Sequence, residues 1–170
     1  YITFAVIFNE YFAAKFSLED EPMNVLVIEP GILPYEREIN GLKEMQAVVG
    51  GPITAIYPWK DQAAIVGNDE ALLSNMSFNR SVEGGYGGVF GTFFVCGLGE
   101  LGFCSLTPEQ MKTYKVKFRQ AELLVGFRGQ EPVTMKVPAR PKETPQRKPR
   151  SKAGNGREVT TRVHRRTRPS

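Results

Sequence analysis

Large apolar side chains are frequent up to Val137 and nearly vanish after it, and the charge reverses at the same place. Residues 136–170 hold twelve Lys and Arg against two Glu, a net +10. Residues 1–135 hold ten against sixteen, a net −6. The overall +4 is an average over an acidic body and a basic tail, and describes neither. The body is long enough to close one hydrophobic core. Pro138, Pro141, Pro145 and Pro149 punctuate the basic segment. That composition cannot bury enough apolar surface to offset chain entropy, and it reads as a disordered tail.

No run approaches the ~18 uninterrupted apolar residues of a membrane helix. Tyr1–Phe8 is apolar but short, lacks a basic leader, and runs into Asn9-Glu10, so it does not read as a signal peptide. The first methionine is Met23. The Leu18-Glu19-Asp20 codons can contain a ribosome-binding signal a short distance before it. Residues 1–22 therefore read as translated upstream sequence, with a genuine N-terminal extension as the competing reading. Cys96 and Cys104 are the only cysteines and read as free thiols of a cytoplasmic protein rather than a disulfide.

Along the body, Asn24–Glu29 is a buried strand closed by Pro30-Gly31. Ile39, Leu42, Met45, Val48 and Val49 recur at helical spacing, and Gly50-Gly51-Pro52 stops that helix. Ile53–Tyr57 and Ala63–Val66 are two further strands. Ala71–Phe78 is ambiguous between a short helix and an irregular crossover. Gly84–Gly88 reads as a mobile surface loop. Val89–Cys96 is the strongest strand, with Gly91 as a bulge. Thr107-Pro108-Glu109-Gln110 is a helix start with a capping box. Leu123–Phe127 and Val133–Val137 form an edge hairpin through Arg128-Gly129-Gln130. The expected fold is α+β (α/β): a single small domain with a mixed four- to five-stranded sheet and two helices on one face. Its divisions are an extension at 1–22, a globular domain at 23–137 with its core at 23–127, and a basic tail at 138–170.

Gly97-Leu98-Gly99-Glu100-Leu101-Gly102 matches G-x-G-x-x-G after a strand, with Glu122 about twenty residues on. The dinucleotide reading fails on context. The glycines do not open directly into a helix, and too little chain follows for the remaining βαβ units. A glycine turn between strand and helix is the plainer reading, and no cofactor is expected. Gly84–Gly88 has no Lys-Ser/Thr after it and is no P-loop. His164 is the only histidine and lies in the tail, so neither a metal site nor a His-based nucleophile system has its parts.

One constellation remains. Tyr57, Trp59, Asn68, Asp69, Glu70, Asn79 and Arg80 fall at strand ends or in the following crossover, where ligand sites of α/β layers form. Turn capping by Asn68 and Asp69, and a surface ion pair for Arg80, is the competing structural reading. The tail would attract a polyanion by counterion release, but it has no aromatic residue to stack on bases. A merely solvated tail, or read-through of an open reading frame, competes with that reading.

Several short motifs occur in order: Ile28-Glu29-Pro30-Gly31, Leu42…Met45-Gln46…Val49-Gly50-Gly51 and Ile53…Ile56-Tyr57-Pro58. They continue as Ile65-Val66…Asn68-Asp69-Glu70, Asn79-Arg80 and Gly91-Thr92-Phe93-Phe94-Val95-Cys96-Gly97, followed by the helix after Leu106-Thr107. Through this series Met23–Val125 resembles the domain of unknown function numbered 3846. The resemblance implies a small intracellular accessory protein of bacterial mobile elements and phages, from gene neighbourhoods associated with anti-restriction and conjugation. It implies no reaction, cofactor or catalytic residue. The function expected is non-catalytic binding of a host or element-encoded protein, with counter-defence as one setting. The alternative is a small-ligand sensor or enzyme using Asn68-Asp69-Glu70 and Asn79-Arg80.

Overall fold

Three strands have no polar face, and as the inner strands of the main sheet they set the architecture. The structure is a computed structural model that describes residues 21–143. In β1 (Met23–Ile28), β4 (Ala63–Asn68) and β7 (Phe93–Gly99) consecutive apolar residues are buried one after another. Such runs need cover on both sides of a sheet. Leu26, Val95 and Ile65 stand in register across the three strands on one face. Val27, Phe94 and Val66 do so on the other.

Two more strands complete the row: β2 (Tyr35–Ile39) and β3 (Ile53–Ile56). The order is β2-β1-β7-β4-β3, and β8 (Gly102–Cys104) adds to β7 by a hairpin. All of these pairings are antiparallel, where a mixed sheet was expected. Hairpins and short crossovers suffice for antiparallel neighbours, so no long βαβ connection is needed.

The helices α1 (Gly41–Val49) and α2 (Pro108–Lys117) cover opposite faces, not one. Met45 and Val49 of α1 pack with Val25, Val27, Val66 and Phe94. Met111 and Tyr114 of α2, with Phe118, pack on Leu26, Ile28, Ile65 and Phe93. A sheet buried on both sides requires this division. α1 ends where Gly50 takes the left-handed conformation, φ 79°. α2 begins with the expected capping box: Thr107 Oγ1 accepts from Gln110 N at 3.1 Å, and Thr107 N donates to Gln110 Oε1 at 3.0 Å.

Two small antiparallel sheets flank the main one: β5 (Phe78–Val82) with β6 (Gly87–Phe90), and β9 (Ala121–Arg128) with β10 (Glu131–Val137). The 84–88 stretch, expected as a loop, is half turn and half strand. Gly84 and Gly85 turn at positive φ, while Gly88 lies in β6 under the Phe78 ring. A Cβ on Gly88 would come 2.4 Å from that ring. The expected 89–96 strand is broken at Gly91, φ 74°, into β6 and β7. Beyond Val137 the chain stays on the body: Leu33 N donates to Arg140 O at 2.8 Å and Arg140 N to Gly31 O at 2.9 Å. Lys142 meets Glu29 and lies 5.0 Å over the Tyr35 ring. The expectations for residues 1–20 and 144–170, including His164, lie outside the described residues. Among the described residues no helix is long and apolar enough to cross a membrane.

Candidate functional site

The seven residues are placed by four different elements or turns: the turn after β3, β4, the turn after β4, and β5. Asn68 closes β4 and is buried. Its Nδ2 donates to Val49 O at 3.2 Å, tying β4 to the end of α1, and its Oδ1 accepts from Glu70 N at 2.7 Å. Gly51 leaves room for this amide, since a Cβ there would lie 2.7 Å from Asn68 Nδ2. Asp69 and Glu70 follow, exposed, in the turn after β4. Asn68 and Asp69 line a mostly apolar cavity of about 170 Å³ with Thr54, Ile56, Ile65, Val89 and Phe90.

Asn79 and Arg80 lie inside β5, next to the β6 strand whose Val89 lines that cavity, and their side chains hydrogen-bond to other groups than Asn68 does. Both are buried, at 0% and 1% exposure. Asn79 Nδ2 donates to Ile28 O at 2.9 Å and Gly91 O at 2.7 Å. Its Oδ1 accepts from Arg80 Nη1 at 2.8 Å. The remaining guanidinium donors reach Asn79 O, Ile32 O and Phe118 O at 3.1, 3.1 and 3.2 Å. Phe118 is the C-cap of α2, so the cation faces the negative end of that helix. Burial lowers the guanidinium pKa and the nearby Glu122 carboxylate opposes it. Arg80 is thus a buried clamp rather than one half of a surface ion pair.

Trp59 anchors a second polar cluster on the α2 face. Its ring lies 4.5 Å from Tyr114 and 6.1 Å from Phe118. Its Nε1 donates to Glu83 Oε1 at 2.6 Å, and Lys117 Nζ reaches the same oxygen at 2.7 Å. Tyr114 OH donates to Asp61 Oδ2 at 2.7 Å, and Gln110 Nε2 to Asp61 Oδ1 at 3.2 Å. Tyr57, 42% exposed, belongs to neither cluster's bonds. Asp61, Glu83, Gln110, Tyr114 and Lys117 were not legible as neighbours of Trp59: the last three share α2, but Asp61 and Glu83 come from separate turns, and no motif links α2 to Trp59.

Neither thiol is primed. Cys96 is buried in β7, where burial pushes its pKa far up, and Cys104 is exposed with its pKa also raised by desolvation. Gly97–Gly102 forms the β7–β8 hairpin, with Gly99 opposite Gly102 and Glu100-Leu101 at the turn. It does not open a helix. Among the described residues no three His, Cys, Asp or Glu side chains group as metal ligands.

The family model for a domain of unknown function, DUF3846, matches residues 23–119, the stretch that runs from β1 to the end of α2. The chain belongs to the DUF3846 family. No curated protein and no solved structure matches it. The DUF3846 match runs from β1 through the C-cap of α2, and so contains the Arg80 clamp, the cavity and the Trp59 cluster. The β9–β10 hairpin lies beyond it. Chemically, the DUF3846 domain offers hydrogen-bond acceptors around a tryptophan, one small apolar cavity, and polar side chains engaged in holding elements together.

Proposed function

We propose that this DUF3846 protein is a non-catalytic accessory protein of a bacterial mobile element or phage. It acts in the cytoplasm by binding a host or element-encoded protein, in a counter-defence setting. The resemblance supplies that setting. The observation that carries the binding reading is how the buried polar groups of β5 are used: Asn79 and Arg80 point their donors at main-chain oxygens of Ile28, Ile32, Gly91 and Phe118. Groups engaged in that way hold surfaces in shape and are not free to move protons. Capture with the full chain from bacterial lysate, followed by cross-linking, tests the reading. One enriched protein cross-linked to residues 23–137 supports it. Turnover of a small molecule by the purified chain overturns it.

Polyanion binding by the basic segment is a separate part of the proposal, supported by twelve basic residues between 136 and 170. DNA retention that falls steeply with salt and is lost on removing residues 144–170 is the expected result. Retention unchanged by the truncation refutes it.

A small-ligand reading is favoured by one observation, the apolar cavity beside Asn68 and Asp69. It predicts a ligand-induced rise in melting temperature that Val89→Trp, which fills the cavity, abolishes.

A further inference from the structure

The main sheet ends in two unlike edges. β2, at one end, carries Glu36, Arg37 and Glu38 exposed along it, and charge is a common guard against a further strand. β3, at the other, reads Ile53-Thr54-Ala55-Ile56 and has neither charge nor proline within it. The register fixes which way its main chain points. Leu98 N donates to Gln62 O at 2.9 Å, so even-numbered residues of β4 face β7 and odd-numbered ones face β3. Ile65 and Gly67 thus exchange hydrogen bonds with Ile56 and Thr54. Asp69 N, donating to Pro52 O at 2.9 Å, continues the same alternation. Ile53 and Ala55 are left with their N–H and C=O groups turned outward, and among the described residues no strand pairs with them. Such a row of donors and acceptors at a sheet edge fits an extended chain.

A side-chain socket lies beside that row. In an added antiparallel strand, the residue opposite Thr54 projects on the same face as Thr54. That face opens on the cavity of about 170 Å³, whose lining includes Thr54, Ile56, Gly67, Leu72 and Val89. Gly67, opposite Thr54, puts no side chain there, and a Cβ built on it would stand 3.7 Å from Val89 Cγ1. Leu72 is 69% exposed and carries the apolar lining to the surface. At the Ile53 end Asp69 also lines the cavity and Glu70 follows it. Neither carboxylate is in an ion pair among the described residues. The C-terminal end of a strand antiparallel to β3 falls beside them, as the end of β4 does.

We propose that the outer edge of β3 takes an extended segment of a partner protein by antiparallel strand addition. An apolar side chain of that segment fills the cavity, and a basic residue after it meets Asp69 and Glu70. This rests on the protein-binding reading above and names its surface. Cross-links from lysate that map elsewhere on residues 23–137 would remove this inference and leave that reading standing. β3 is four residues long, so main-chain bonds alone hold weakly and the side chain in the cavity supplies the selection.

Fluorescence anisotropy of a short blocked peptide with the full chain is the test. The peptide alternates threonine and valine around a central phenylalanine and ends in arginine. Saturable binding is expected, with amide exchange at Ile53 and Ala55 slowed on addition. Replacing the phenylalanine by glycine, or the arginine by glutamate, should weaken binding about tenfold. Ala55→Pro removes an outward donor where an edge strand admits proline, and should weaken binding similarly with the melting temperature unchanged. Methylating the peptide amides that face β3 should abolish binding, and methylating those that face away should not. Absence of saturable binding overturns the proposal. So does binding indifferent to the phenylalanine, or to both Ala55→Pro and amide methylation. Slow exchange at Ile53 and Ala55 in the free full chain also overturns it, since another part of the chain or a second copy would then hold the edge.

Discussion

Tyr114 and Asp61 hold each other in opposite protonation states. Burial first, and then the hydrogen bond to Asp61, push the phenol above its usual value of 10.0. The Tyr114 hydroxyl, opposed by desolvation but helped by Gln110 and the Gln62 amide, holds the Asp61 carboxyl below its usual 3.8. The signs follow from linkage. A depressed carboxyl stabilises the fold above its unfolded value, and that stability is lost as pH falls through the folded one. A raised phenol stabilises below 10.0, and its contribution is lost as pH climbs through its folded value. Urea midpoints should therefore fall below about pH 4 and above about pH 10. Tyr114→Phe should lower stability by about 1 kcal/mol near neutral pH and flatten both limbs. Identical pH profiles for the two proteins would show that the Tyr114–Asp61 pair does not contribute to the pH dependence.

At the scale of elements, the break at Gly91 and the start of α2 carry definite costs. Gly91 has φ 74°, and a Cβ there would lie 2.6 Å from Met76 Sδ. Gly91→Ala should destabilise by about 2 kcal/mol, read from urea unfolding, through left-handed strain and crowding. Thr107→Ala removes the acceptor for Gln110 N and should cost about 1 kcal/mol.

The same elements mark what could be read in advance. α2 was legible because Thr107, Pro108 and Gln110 are a local signature. β1, β3, β4 and the β9–β10 hairpin were legible as apolar or alternating runs between turn residues. β2 was not, since Glu36, Arg37 and Glu38 are exposed and only Ile39 is fully buried. β5 was hidden because Asn79 and Arg80 are polar residues buried in a strand, and burial that rests on long-range partners has no local pattern. For the same reason the strand-end residues could be picked out while their partners could not. Ile28, Ile32, Gly91 and Phe118 accept through the main chain, which no side-chain pattern reports.

Over the whole molecule the sheet is a wall with α1 on one side and α2 on the other, and Arg80 joins pieces that the wall itself does not. Through Ile32 it holds the turn after β1, through Phe118 the end of α2, and through Asn79 the neighbour that binds Ile28 and Gly91. No direct carboxylate contact is among these bonds, so several neutral oxygens together solvate a buried cation. Removing it leaves main-chain oxygens unsatisfied in three places. Equilibrium urea unfolding of Arg80→Met and Arg80→Lys against the parent chain tests this directly. Arg80→Met should lose about 3 kcal/mol, with Arg80→Lys recovering only part because an ammonium cannot reach the same fork of acceptors. Parent-like midpoints for both variants would contradict the clamp, and would leave Arg80 without a part in joining β5, α2 and the turn after β1.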